Sequence, residues 1–195
     1  MKPNNSNKKY RDVAKLHMSG MRNGFLPTLG LNFLMLMYRC IDEAEDTALI
    51  TLYDDEKLQG FVCGTLGKRN TYLLMLKYPF KLFINLSQVL ISPVKLFKVC
   101  NLIIHMRSVK RNDYPKEELL AIVVDDSYRR AGIAVDLYDK LITYFQYNKV
   151  NRFSIIVGKE LSANLFYKKM GAGVSGEIEV HKGTKSYIYT HEINI

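Results

Sequence analysis

The stretch "DDSYRRAGIAVDLYDKL", residues 125–141, decides how this chain is read. It follows "EELLAIVV", a run with strand character in which Ile122, Val123 and Val124 are continuously apolar, and it runs on into "GIAVDLYDKLITYFQYN", an amphipathic helix. A strand therefore turns a corner into a helix at Tyr128, Arg129 and Arg130. The first helical N–H groups of such a corner have no intrahelical partner, and the helix dipole makes that end positive. Phosphate is the natural guest there. Gly132 and the small Ala131 and Ala134 let a ligand approach the backbone, and Arg129 and Arg130 add charge. A bare turn with two solvated arginines explains the same letters, so the corner alone leaves both readings open.

Outward from the corner the chain alternates helices and strands. Residues 1–11 read as a polar, flexible arm with no apolar segment of a secretory signal behind it. "DVAKLHMSG" is a short helix from about Asp12, and "PTLGLNFLMLMYRCIDEAE" a second, with Leu29, Phe33, Leu36 and Met37 at helical spacing. "TALITLYDD" and "KLQGFVCGTLG" form a hairpin through "DDEK". A helical insertion follows at about residues 70–108, broken near Ser92 and Pro93. After the corner come the strand "RFSIIVG", the short helix "SANLFYKKMG" stopped at Gly171, and a terminal hairpin turning at Lys182 and Gly183. The order ααββ, insertion, βαβαββ predicts a single α/β (α+β) domain over residues 12–195, with a mixed central sheet flanked by helices.

Composition narrows the class. Of 195 residues, 48% are hydrophobic and 24% charged, which argues against a disordered or fibrous chain. Three cysteines (Cys40, Cys63, Cys100) without a CxxC pair favour reduced thiols in a cytoplasmic protein. Four histidines (His17, His105, His181, His191) show no ligand spacing, so no metal is expected, and His17 is kept as a candidate on the acceptor side. No uncharged apolar run reaches the ~18 residues of a membrane span. "GAGVSG", residues 171–176, has the letters of a dinucleotide-binding loop, but it follows a helix and opens a strand, the reverse of what that loop needs.

The net charge of +9 is concentrated. Residues 68–111 hold nine cations (Lys68, Arg69, Lys77, Lys81, Lys95, Lys98, Arg107, Lys110, Arg111) and no acid. Such a block meets a phosphorylated substrate, a membrane surface or nucleic acid, or it is a solvated face. No aromatic-interleaved basic strand accompanies it, so nucleic acid is not expected. Its apolar residues Leu73, Leu76, Phe80, Phe83, Leu96 and Phe97 are expected to be covered, with the lysines outward.

Two motifs carry a resemblance. Arg129-x-x-Gly132-x-Ala134 after "LLAIVVDDSY" resembles the acetyl-CoA pyrophosphate loop of the GCN5-related N-acetyltransferase (GNAT) superfamily, and "SANLFYKKMGA", with Asn164, Tyr167 and Gly171, resembles that family's second motif. The likeness is best over residues 116–171. The front, "LHMSGMRNGFLPTLGLNFLMLMY", is similar to a branch linked to bacterial surface-polysaccharide pathways. Ala134 stands where many members have Gly, and Ala172 where an aromatic is common.

The resemblance implies acetyl-CoA as cosubstrate, no metal, and direct acetyl transfer to a primary amine. It places the pyrophosphate on Arg129, Arg130, Ala131, Gly132, Ile133 and Ala134, the pantetheine on the edge of Ile122, Val123 and Val124, and the cofactor arm on Asn164. An ammonium is no nucleophile, so a base must take its proton. Glu118 is chosen for this, with Glu117, on the opposite face, as the fallback. Tyr167 matches the acid that protonates the departing thiolate, and a backbone N–H near Val124 would meet the acyl oxyanion. The unbalanced positive charge suggests an anionic small-molecule acceptor, the amine of a nucleotide-linked or phosphorylated sugar. Other readings are a protein or peptide amine, or a non-catalytic acyl-CoA-binding or membrane-surface module touching the membrane through residues 68–111.

Overall fold

The structure is a computed structural model that describes residues 3–22, 24–68, 71–90, 114–181 and 184–193. The strand before the corner, β3 (Glu118–Val124), lies inside a six-stranded sheet. Its companions are β1 (Thr47–Asp54), β2 (Lys57–Thr65), β4 (Arg152–Gly158), β5 (Gly173–His181) and β6 (Thr184–Glu192), in the order β1-β2-β3-β4-β6-β5. Every neighbouring pair is antiparallel except β3 and β4. A parallel pair needs a long crossover, which α4 (Ile133–Tyr147) supplies.

Helices α1 (Pro3–Gly20) and α2 (Leu31–Glu43) cover one face, where Val13, Ala14, Leu34 and Tyr38 pack on Phe61, Cys63, Ala121 and Val123. On the other face α4 and α5 (Ala163–Lys169) bring Leu137, Leu141, Phe145 and Tyr167 against Val62, Leu119, Phe153 and Ile155. Each such side chain, fully buried, contributes roughly 1.5–3 kcal/mol. Gly60 and Gly64 set how closely α4 sits. A Cβ at Gly60 would come within 2.9 Å of Leu137 Cδ1, and one at Gly64 within 2.8 Å of Leu141 Cδ1. The corner at the start of α4 is thus held tightly over β2 and β3.

Some expectations need correction. Residues 3–11 are not an arm but the first turns of α1, fastened where Lys9 Nζ and Tyr10 Oη donate to Asp42 at 2.7 and 2.9 Å. The second helix is two elements, a 3-10 turn (Leu26–Leu29) and α2, divided at Gly30. The insertion opens with a 3-10 turn (Thr71–Lys77) and α3 (Pro79–Leu90). Leu73, Leu76, Phe80 and Phe83 are exposed, not covered, with Phe80 at 85%. Met75 is buried in the α1/α2 core, and Leu74, Tyr78 and Leu82 pack against it. The break at Ser92 and Pro93, Leu96, Phe97, the cations at 69, 95, 98, 107, 110 and 111, and the turn at Lys182 and Gly183 lie outside the described residues.

Candidate active site

Strand β3 pairs with β2 along its whole length, with one irregularity, but with β4 only at its start. Cys63 faces Ala121 and Gly64 faces Leu119, so Leu120 is an extra residue, a β-bulge. On the other side pairing stops almost at once, with Glu118 opposite Ser154 and Leu119 opposite Ile155. Beyond that seam the two strands part. Asp125 N donates to Gln59 O at 2.8 Å, so by alternation the N–H and C=O groups of Val124 and Ile122 turn away from β2 toward the opening. Half-buried backbone groups along a wedge in mid-sheet need partners, and a ligand carrying amides can supply them as an added strand.

The wedge leads to the corner. Asp125 opens a 3-10 turn (Asp126–Tyr128) by accepting from Ser127 N at 3.0 Å. Arg130 (φ 65°) and Gly132 (φ 84°) are both left-handed, and such a conformation costs a non-glycine residue like Arg130 roughly 1–2 kcal/mol. What this conformation achieves is orientation. Gly132 caps α4 with no side-chain hydrogen bond, and the first helical bonds run from Val135 N and Asp136 N to Gly132 O at 2.9 and 3.1 Å. The N–H groups of Arg130, Ala131, Gly132, Ile133 and Ala134 donate to nothing among the described residues. A Cβ on Gly132 would meet no atom within 4 Å, so the space beside this glycine is open. This arrangement fits a pyrophosphate.

The outer side of the corner is braced by side chains. Arg129 Nη2 lies 2.7 Å from Asp126 Oδ1, so part of its charge is already answered. Tyr128 Oη donates to Asp54 Oδ2 at 3.2 Å, and Lys57 Nζ donates to Ser127 Oγ at 2.9 Å while lying 4.9 Å from the centre of the Tyr128 ring.

Tyr167 of α5 is buried among Phe166, Tyr138 and Tyr189, with ring centroids at 5.3, 6.4 and 6.1 Å. Burial holds its phenol far above the usual range, with the Cys63 thiol adding to the effect. It therefore stays protonated at any working pH and can offer its hydrogen to a nearby acceptor. Cys63 belongs to the core on the other face of the sheet, so phenol and thiol sense each other across the sheet, beside the wedge. Burial likewise pushes the Cys63 thiol up to about 12; its hydrogen bond with the backbone of Ala121 lowers it, and the charge of Glu118 raises it further. Cys63 thus feels both the Tyr167 phenol and the Glu118 carboxylate. Glu118 is half-buried at the seam, on the α1/α2 face, because Leu119 beside it faces α4 and α5. Glu117 holds the closed end through its backbone, where its carbonyl accepts from Ser154 N at 2.8 Å.

Asn164 is tied into the turn after β4. Its Nδ2 donates to the carbonyls of Gly158, Lys159 and Leu161 at 2.9, 3.0 and 2.7 Å, and its Oδ1 accepts from Tyr189 Oη at 3.0 Å. In this structure the amide braces the loop that leaves β4, on the far wall of the wedge. His17 is buried at 3% exposure with Nδ1 2.5 Å from Tyr38 Oη, and burial lowers its pKa to about 4. It belongs to the α1/α2 core and not to an accessible acceptor surface. Reading the letters had missed Cys63, Tyr189 and the bulge at Leu120, because each depends on strand register and leaves no mark in consecutive residues.

Comparison with known proteins bears on the same region. Residues 102–190 match the family model described as an acetyltransferase (GNAT) domain. None of the curated proteins matches the sequence. Among solved structures the chain is similar to an acetyltransferase (TM-score 0.61, 14% identity, covering 96% of each chain). It is also similar to an aminoglycoside 6'-N-acetyltransferase complexed with coenzyme A (0.60, 11%, covering 95% of this chain and 91% of that one). A third likeness is to a GNAT-family acetyltransferase from Streptococcus pneumoniae (0.58, 15%, 96% and 95%). At these identities the likeness is one of fold.

Proposed function

We propose that this chain, an acyltransferase carrying a GNAT acetyltransferase domain, moves an acetyl group from acetyl-CoA directly to a primary amine of an anionic small molecule. The observation that carries the reading is the opened β3/β4 pair, running from a two-residue seam to a helix start with uncapped donors.

Acetyl-CoA supplies an acyl group activated on sulfur. The N–H groups from Arg130 to Ala134 hold its pyrophosphate, and Arg129 and Arg130 add charge at the rim. The edge of Ile122, Val123 and Val124 pairs with its amides and points the arm toward the seam. An N–H of that edge near Val124 is available to the acyl oxygen as it gains charge. Tyr167 donates its proton to the departing sulfur. Glu118, on the α1/α2 face at the seam, takes the proton of the incoming ammonium, directly or through water. Asn164 and Tyr189 keep β4 and α5 where this geometry needs them. The reaction belongs in the cytoplasm, in keeping with the free, buried thiols of Cys40 and Cys63.

For the acceptor, the amine of a nucleotide-linked or phosphorylated sugar is favoured by the nine cations, without an acid, of residues 68–111. Thiol release from acetyl-CoA with a panel of amines tests both levels of the proposal. Phosphorylated amino sugars should give the highest kcat/KM, falling with salt. Preference for a peptide amine would overturn the acceptor class, and no release with any amine would overturn the transfer itself.

A further inference from the structure

We propose that the outer face of the insertion, formed by the 3-10 turn Thr71–Lys77 and by α3, docks on an anionic lipid bilayer. This inference does not rest on acetyl transfer, and it gives to a lipid surface the cations of residues 68–111 that the acceptor reading gives to a phosphorylated sugar.

The segment is apolar on two sides. Inward, Met75 is buried and Leu74, Tyr78 and Leu82 pack on the α1/α2 core. Outward, Leu73 and Leu76 fall on one line in 3-10 geometry, and Phe80 and Phe83 share one face of α3. All four are more than half exposed, Phe80 nearly completely. Anchoring to the domain therefore leaves a second apolar stripe for another partner.

The rim of that stripe identifies the partner. Arg39, Lys77 and Lys81 place their cationic groups 5.0, 5.7 and 5.5 Å from the centre of the Tyr78 ring. Glu43 answers two of these cations, Arg39 at 2.8 Å and Lys77 at 3.4 Å, and accepts from Tyr78 Oη at 2.6 Å. A tyrosine ringed by cations beside exposed phenylalanines and leucines matches the boundary between lipid headgroups and acyl chains. The surrounding sequence extends the charge, nine cations without an acid from 68 to 111. Two other partners fit worse. A second copy would bring the same cations against themselves across a two-fold axis, and leucines offer nothing to phosphates or base edges. Among the described residues no helix is long and apolar enough to cross a membrane, so the contact is a face lying on the surface.

Co-sedimentation of the full chain with vesicles of phosphatidylcholine alone, or mixed with phosphatidylglycerol, tests this. The chain should sediment with the mixed vesicles and be released by salt. Phe80→Ser with Phe83→Ser should lower that partition roughly tenfold or more, and Lys81→Glu by a smaller factor, while acetyl-CoA binding stays unchanged as the check on folding. Equal partition of wild type and double variant, or no sedimentation with the mixed vesicles, would overturn the proposal. A double variant that changes only the mass of the free protein in sedimentation equilibrium would overturn it as well, assigning the face to self-association.

Discussion

The sheet has two parallel strands and each feeds a helix, β3 into α4 and β4 into α5, yet the two corners are finished in opposite ways. After β4, one side chain, Asn164, donates to three turn carbonyls and is itself held by Tyr189. After β3, no side chain caps α4, two residues take left-handed backbone angles, and five N–H groups have no partner among the described residues. Every polar group in a fold must find a partner. Where the chain supplies that partner the corner is structural, and where it supplies none the donors are left to water or to a ligand.

The contrast breaks most completely at Gly132. Gly132→Val forces a branched residue to φ 84° and fills the space beside the glycine, so calorimetry should find acetyl-CoA affinity lowered by roughly a hundredfold or more in a protein that still gives a folded circular dichroism spectrum. Unchanged affinity would mean that the open corner is not the pyrophosphate site.

Next in size is Tyr167, proposed as the acid. Tyr167→Phe removes only a hydroxyl, so kcat should fall roughly 10²-fold while acetyl-CoA affinity and melting temperature hardly move. A loss confined to KM would reassign Tyr167 to packing.

Glu118→Gln should lower the rate about tenfold or more near neutral pH, and the deficit should shrink as pH rises and the amine loses its proton in solution. The sign follows from the substrate: at low pH nearly all of it needs a base, and at high pH little does. A profile reduced by the same factor at every pH removes Glu118 from that role.

The smallest catalytic effect is expected at the closed corner. Asn164→Ala removes the side-chain bonds to the carbonyls of Gly158, Lys159 and Leu161 and to the hydroxyl of Tyr189, so it should cost about 1–3 kcal/mol and several degrees in melting temperature. Acetyl-CoA binding should weaken far less than in Gly132→Val. The reverse pattern, normal melting with lost binding, would show that Asn164 holds the cofactor arm after all.

How much of this was legible follows from where each feature is encoded. The β3-to-α4 corner is written in consecutive letters: a strand, two arginines, a glycine and an amphipathic helix. The same is true of the order of elements. The wedge is not, because it depends on where β4 stops pairing and on a bulge at Leu120, and register is a property of two strands. Asn164 was legible as a motif residue, but its partners are three carbonyls of a loop whose path no local pattern dictates. The start of α1 was hidden because residues 3–9 carry no apolar stripe, and their ties to Glu56 and Asp42 are long-range. In α3 the letters showed apolar residues at helical spacing, but which of two apolar sides would be covered depended on what stood beside it.

The seam between β3 and β4 has a mechanical consequence. Two three-stranded half-sheets meet through two residue pairs, so the midline of the domain is its most compliant line, although the cores on both faces hold the halves together. A ligand that lies in the wedge as a strand adds rungs to that midline and ties one half to the other. Binding and rigidity then become the same event: the folded chain gains stability in proportion to the logarithm of ligand concentration, and the local opening that is easiest in the free protein becomes one of the hardest once the wedge is filled. A molecule of this design reports the supply of its own substrate through its resistance to unfolding.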